Sequence, residues 1–292
     1  MNTYENAIEL KGVTKRYEGF TLDSLTLNVP KGSVMGFIGQ NGAGKTTTIR
    51  SLLGITDTDE GEIRLLGLDL RKHEQKIKQR IAVVFDELPF HDLFTARDMG
   101  RIFEGIYDGW DYAEYSRYLD LFGLPLKKKI GQFSKGMKMK LQIACALSHN
   151  AELLVMDEAT TGLDPVVRDE ILHLFMEYIK NGERSILMSS HITSDLEKIA
   201  DSVAFIDNGR LLISGYKDEI IETHGIIRCG RDKLAEIDRS DIVSIRVNEF
   251  GTEVMVNDRR RASYKYKDMV LDPVSLDDIM VFYVHGGEKE WS

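Results

Sequence analysis

The sequence predicts an α/β protein: a parallel sheet with helices on both faces, followed by a small α+β appendage. Three observations carry this. Short apolar, β-branched segments alternate with helix-like ones up to about Ala200. A glycine-rich run, Gly39 to Thr47, joins one of these strands to a helix. Past about Thr223 the texture changes to short alternating segments separated by turns.

Taken in order, Ile8 to Val13, Leu22 to Val29 and Ser33 to Ile38 read as strands. Thr48 to Leu53 reads as a helix, Glu62 to Leu66 as a strand, and Lys76 to Arg80 as a charged lead-in to the strand Ile81 to Phe85. Ala96 to Leu121 is mostly helical, with glycine and aromatic interruptions. In Lys135 to Leu147, residues Met137, Leu141, Ala144, Cys145 and Leu147 line one helix face. Leu153 to Met156 and Ser185 to Met188 are strand-sized apolar runs suited to a buried parallel sheet. Pro165 to Lys180 and Ser194 to Ala200 are helices between and after them. In the tail, Ile226 to Cys229, Ile242 to Val247, Glu253 to Val256 and Ala262 to Tyr266 alternate or run apolar, with a turn at Asn257-Asp258.

Composition narrows the class. The 292 residues carry 38 Lys and Arg against 47 Asp and Glu, a net charge of −9, with 42% hydrophobic and 29% charged residues. That is an ordinary globular balance, which excludes bulk disorder. Two cysteines, Cys145 and Cys229, make no disulfide scaffold. Net acidity argues against nucleic acid as a partner. No apolar run reaches the roughly 18 residues of a membrane helix, and the acidic start does not resemble a signal peptide. The expected location is therefore cytoplasmic, with any membrane spanning left to another chain.

The chemistry starts at Gly39-Gln40-Asn41-Gly42-Ala43-Gly44-Lys45-Thr46-Thr47, which fits G-x-x-x-x-G-K-S/T. Glycines let backbone N–H groups turn inward around a phosphate chain, and the following helix N-terminus adds positive potential. Lys45 is placed to reach the β- and γ-phosphates, and Thr46 offers a hydroxyl to Mg²⁺. Asp157 and Glu158 end the run Leu153 to Met156, at the strand end where open α/β sheets bind ligands. Asp157 suits Mg²⁺; Glu158 can orient or deprotonate an attacking water. Phe133-Ser134-Lys135-Gly136-Met137 follows a different logic. Ser134, 23 residues before Asp157, caps a helix whose N-terminus would face an anion.

Together these segments resemble the nucleotide-binding subunit of an ATP-binding-cassette (ABC) transporter, a P-loop NTPase cassette. The family signature reads Leu-Ser-Gly-Gly-Gln. Here Ser134 and Gly136 are kept, with Lys135 and Met137 at the other positions, a variant similar to that of ABC-2-type exporters. The resemblance covers roughly Ile8 to Thr223. It implies a mixed, mainly parallel core sheet with an antiparallel β part and a helical signature subdomain at about 87–147. Residues 1–222 would be the ATP-binding domain and 223–292 an accessory domain.

The resemblance also assigns roles. Asp164, in Thr160-Thr161-Gly162-Leu163-Asp164, falls in the dimer-contacting loop, with Ala159 where the family usually has Pro. His191 matches the histidine that contacts the γ-phosphate, and Tyr17 the aromatic that stacks on adenine. After Ile81 to Phe85 the family has Gln or Glu touching Mg²⁺; here Asp86 stands, one carbon shorter, expected to act through a water, with Glu87 beside it. Leu88 to Phe94 falls where a membrane subunit would dock.

The implied protein is an ATPase binding ATP and Mg²⁺. It would pair with a second ATP-binding subunit, like or unlike, and power an integral membrane partner from the inner face of the cell membrane. Other readings are a soluble ABC-type ATPase or a slow ATP sensor. Only 112 residues separate Lys45 from Asp157, too few for the long coiled coils of DNA-repair members. Glu158 and His191 argue against a mere sensor. Arg259-Arg260-Arg261 reads as a solvated hairpin tip, Cys145 as core, and His73, His91, His149, His173, His224 and His285 share no metal spacing.

Overall fold

The computed structural model describes residues 4–87, 89–248 and 251–285. Two long antiparallel strands, β1 (Asn6–Tyr17) and β2 (Phe20–Pro30), precede β3 (Val34–Ile38) and helix α1 (Lys45–Leu52). β4 (Glu60–Leu65), β5 (Leu68–Asp69) and α2 (Leu70–Lys78) lead into β6 (Ile81–Phe85). The helices α3 (Ala96–Glu104), α4 (Tyr112–Leu121) and α5 (Lys135–Leu147) follow. Strands and helices then alternate: β7 (Leu153–Asp157), α6 (Pro165–Ile179), β8 (Ser185–Ser190), α7 (Thr193–Ile199), β9 (Ser202–Asp207) and β10 (Arg210–Tyr216). The tail is α8 (Lys217–Thr223), β11 (Gly225–Cys229), β12 (Ile242–Asn248), β13 (Gly251–Val256), α9 (Arg259–Lys265), β14 (Val270–Asp272) and α10 (Leu276–His285).

The central sheet runs β10-β9-β3-β8-β7-β6, parallel except for β10 at its edge. Successive strand side chains point to opposite faces, so each buried strand feeds two cores. On β7, Leu153 and Val155 join Phe37, Ile49 and Leu52 on one side. Leu154 and Met156 join Leu141, Ile171 and Phe175 on the other. Helices cover both faces as expected, but α1 shares its face with the antiparallel sheet β2-β1-β4-β5. This arrangement puts the C-terminal ends of β3, β7, β8 and β6 side by side, with Phe85, Asp157 and Ser189 in register.

Several elements differ from the sequence reading. Of Lys76 to Arg80, Lys76 to Lys78 end a longer helix, α2, which Asp69 caps by accepting from the Lys72 amide, and only Gln79 and Arg80 lead into β6. The apolar anchors of α2 are Leu70 and Ile77, seven residues apart, too sparse to mark a helix face beside so many charges. The strands β9 and β10, absent from the sequence reading, complete the sheet next to β3. Ala262 to Tyr266 is not a strand. Asp258 accepts from the Arg261 amide at 2.8 Å, and Ala262 and Tyr266 bury one face of α9. Arg259-Arg260-Arg261 is therefore the first turn of that helix, not a hairpin tip.

The tail is α+β as expected, with a sheet of order β12-β13-β11-β14. One face packs on α9 through Ile227, Val254 and Val256. From the other face Ile226 and Met255, with Leu276, Ile279 and Phe282 from α10, join the same core as α5 and α6. Cys145 lies in that core, as expected.

Candidate nucleotide site

β3 is buried along its whole length and ends at Ile38. The chain leaves it at Gly39, where a Cβ would stand 2.5 Å from the Ile206 carbonyl, so a larger residue would force β9 away. It enters α1 at Gly44, whose φ of 116° is closed to other residues at little cost. Between them the Ala43 amide donates to the Gln40 carbonyl, and the Gly209 amide donates to the Ala43 carbonyl. Asn41 and Gly42 are exposed at the tip, as is Thr46 on the first turn of α1; Thr47 is half-buried.

Lys45 turns back into this loop and is 5% exposed. Its ammonium donates to the Gly39 carbonyl at 2.5 Å and the Gln40 carbonyl at 3.1 Å, and lies 3.0 Å from Glu158 Oε1. Glu158 follows β7 directly and holds a left-handed φ of 54°, a strained setting for a side chain of this kind. Its Oε2 accepts from the Thr161 hydroxyl at 2.9 Å and lies 2.7 Å from His191 Nδ1. Burial by itself raises the Glu158 carboxyl. Burial is the largest single influence, but the Lys45 charge, the hydrogen bonds from Lys45 and Thr161 and the His191 charge together outweigh it, so the group is held below the ordinary glutamate range. Asp157 is buried and accepts from the Ser189 hydroxyl at 2.8 Å.

The structure thus brings Lys45, Asp157, Glu158 and His191 to one strand edge. Tyr17 sits at the tip of the β1–β2 hairpin, 46% exposed, in register with Phe20. The Phe20 ring lies 3.0 Å from where a Cβ on Gly44 would stand, so this hairpin leans on the loop. Ser134 and Gly136 are elsewhere. Ser134 caps α5 by accepting from the Met137 amide at 3.2 Å. Among the described residues neither makes a hydrogen bond or ion pair with Lys45, Glu158 or His191. Asp164 is exposed and caps α6 through the amides of Val166 and Val167. The Asp86 carboxylate is engaged by Lys135 Nζ at 2.7 Å, and Glu87 is exposed.

Ser189, Thr161 and Gln142 received no role of their own from the sequence. Ser189 is the one that carried a signal, two residues before His191 at the end of an apolar run. Its tie to Asp157 needs the β7–β8 neighbourhood, which the sequence does not state. No group of His, Cys, Asp and Glu suited to a metal is present among the described residues.

A parallel sheet whose strand ends carry a phosphate-type loop, a buried lysine and two carboxylates defines a P-loop nucleoside triphosphatase. Residues 22–161 match the family described as ABC transporter. The chain is 39% identical over 208 residues to the bacitracin transport ATP-binding protein BcrA of Bacillus licheniformis, across 70% of this chain and 68% of that one. It is 28% identical to the ABC transporter ATP-binding protein YtrB of Bacillus subtilis across 97% of this chain and all of that one, a match that takes in the tail. A solved ATP-binding subunit of an ABC transporter superposes with a TM-score of 0.67 at 31% identity, over 73% of this chain and 91% of that one. The chain belongs to the ATP-binding subunits of ABC transporters, and it is an ATP-hydrolysing transport protein.

Proposed function

We propose that this chain powers an exporter of the ABC-2 type from the inner face of the cell membrane, working as a head-to-tail pair of ATP-binding subunits, like or unlike. The observation that carries the chemistry is Glu158, kept ionised between Lys45, Thr161 and His191 beside Asp157. Relatives named for bacitracin transport, Nod factor export and daunorubicin/doxorubicin resistance support the direction of transport.

In this reading the loop Gly39 to Thr47 holds the ATP phosphates and Tyr17 stacks on the base. The partner subunit closes the site with the equivalents of Ser134 and Gly136, and Asp164 lies at the interface. The Lys45 ammonium has two carbonyls and Glu158 as partners. A γ-phosphate oxygen would replace Glu158 as the third, releasing the carboxylate to a water. Glu158 takes a proton as that water's oxygen bonds to phosphorus and the bond to the β–γ bridging oxygen breaks. His191 holds Glu158 from one side and reaches the γ-phosphate from the other. Thr46 and Asp157 form an all-oxygen donor set, which fits Mg²⁺. Bound there, Mg²⁺ would offset charge on the phosphates.

The membrane partner is assigned to the surface after β6. A cavity of about 160 Å³ opens there among Phe85, Pro89, Phe90, Tyr107, Gln142 and His149, with Leu93 and Phe94 exposed nearby. Leu88 lies outside the described residues. Among the described residues no helix is long and apolar enough to cross a membrane. Residues 1–222 then form the ATP-binding domain, with its helical part at about 87–147, and 223–292 an accessory unit that adjusts pairing. Purification from detergent-solubilised membranes tests the reading: the chain is expected to bring down a multi-span membrane protein, and the complex to release phosphate from ATP. A chain that hydrolyses ATP yet stays wholly free of membrane protein would sink the transport assignment.

A further inference from the structure

The segment after β6 is clamped to one face of α5. Gln142 is buried; its Nε2 donates to the Phe85 carbonyl at 2.9 Å and its Oε1 accepts from the Phe85 amide at 3.1 Å. Nearer the helix start, Lys138 Nζ is 3.3 Å from Asp92 Oδ1, and Lys135 Nζ is 2.7 Å from Asp86 Oδ1. Positions 135, 138 and 142 share a helix face by their spacing. Lys135 also lies along the loop after Glu158, since a Cβ on Gly162 would stand 3.2 Å from its Nζ. A cation on the first residue of a helix sits at the wrong end of the macrodipole, and Asp86 neutralises it. The two departures from the family pattern, Lys135 for glycine and Asp86 for glutamine or glutamate, therefore meet in one ion pair.

We propose that Asp86 is a positioning residue that acts through Lys135, and that their pair sets the orientation of Ser134 and the start of α5 against Phe85 and the Gly162 loop. The inference rests on reading Ser134 to Met137 as the segment presented to a partner's nucleotide. Gln142 anchors the helix, and the exposed pair trims the angle of its free end. An exposed pair changes an equilibrium by no more than about fivefold, which suits fine adjustment. The carboxylate that would otherwise face Mg²⁺ is the one Lys135 holds.

The test uses the full chain carrying Glu158→Gln, titrated with ATP and Mg²⁺, with dimer read by size-exclusion chromatography. Asp86→Asn and Lys135→Met should each raise the half-saturating ATP about two- to fivefold. Combined, they should do no more than either alone. The exchanged pair, Asp86→Lys with Lys135→Asp, should return the value to within about twofold of the parent, and neither single change should alter the Mg²⁺ requirement. Effects that multiply in the double variant, or a raised Mg²⁺ requirement from Asp86→Asn alone, overturn the proposal. A folded Glu158→Gln chain that never pairs with ATP would count against the reading of Ser134 to Met137 instead. In that case amide exchange in the single chain decides: both variants must speed exchange of the first turn of α5 equally and non-additively, and unchanged exchange there overturns the pair's role.

Discussion

Helices α1 and α5 each begin with a lysine that meets the carboxylate of a distant segment, Lys45 with Glu158 and Lys135 with Asp86. The second contact is the shorter, 2.7 Å against 3.0 Å, yet it is the weaker. Lys45 and Glu158 are 5% and 14% exposed, whereas Lys135 and Asp86 are 47% and 42% exposed. Water and salt screen the outer pair, which is worth about 0–1 kcal/mol. Removing one partner of a fully buried pair leaves an uncompensated charge and costs about 3–5 kcal/mol. Burial, more than distance, decides what an ion pair does. In the proposed function the inner pair holds a charge for chemistry, and the outer one adjusts a surface.

The sharpest way to break that contrast is at the inner pair. Glu158→Gln keeps the shape and removes the proton acceptor, so turnover is expected to fall about 10²–10⁴-fold while ATP binding survives. Phosphate release against ATP binding measures both; near wild-type turnover would take Glu158 out of the mechanism. Tyr17 is intermediate, exposed but leaning on the loop through Phe20. Its stacking on a base is worth about 1–3 kcal/mol, so Tyr17→Ala should weaken ATP binding roughly tenfold or more. Because every base has a π-face, GTP should compete within about tenfold. A preference beyond a thousandfold would mean hydrogen-bond readout of the base instead.

A third experiment asks whether the tail belongs with the buried or the exposed kind of contact. Cutting after Thr223 removes Ile226, Met255, Leu276, Ile279 and Phe282 from the core they share with α5 and α6. A folded, ATP-binding cassette with Tm lowered by several degrees is expected in thermal unfolding. Loss of a cooperative transition would show that the tail completes that core.

The smallest effect is the pH response. The Glu158 carboxyl is held low, so its contribution to stability is complete above the ordinary glutamate value of about 4.3. It is lost only as pH falls through the lowered one. His224 is different. Burial depresses its imidazole, which faces the Ile220 carbonyl and Tyr283 hydroxyl. Its contribution is complete above about pH 6.5 and is lost as pH falls from there, because the unfolded chain binds the proton first. Buried His149 follows the same sign. Between pH 7.5 and 5, Tm should fall, and His224→Gln should flatten part of that slope. A slope untouched by the substitution would place the sensitivity elsewhere.

Much of the site was legible before the fold, because a phosphate loop needs glycine, lysine and hydroxyl at fixed offsets on one continuous segment. The strand ending in Asp157 and Glu158 was equally plain, since a run buried on both faces has no polar residue until it reaches the sheet edge. What the sequence hid were cross-segment partners. Ser189 reaches Asp157 only because β7 and β8 are neighbours in register. The match to the family's Gln or Glu puts Asp86 on the metal side, and the sequence does not show that its carboxylate also meets Lys135, 49 residues further on. α2 and α9 were obscured for a local reason, since short helices dense in charge show little apolar period.

By itself, then, the chain determined its strand–loop–helix unit, its acidic strand end and its capped signature helix, because each is set by backbone geometry and residue chemistry within a few positions. The tertiary structure decided what those pieces touch. It folded Lys45 onto Glu158 in a site where burial magnifies charge, set Lys135 against Asp86 where solvent weakens it, and joined the tail to the cassette through one apolar core. Contacts between distant segments depend on which strands pair and which faces meet, and those are fixed only when the whole sheet closes over its helices.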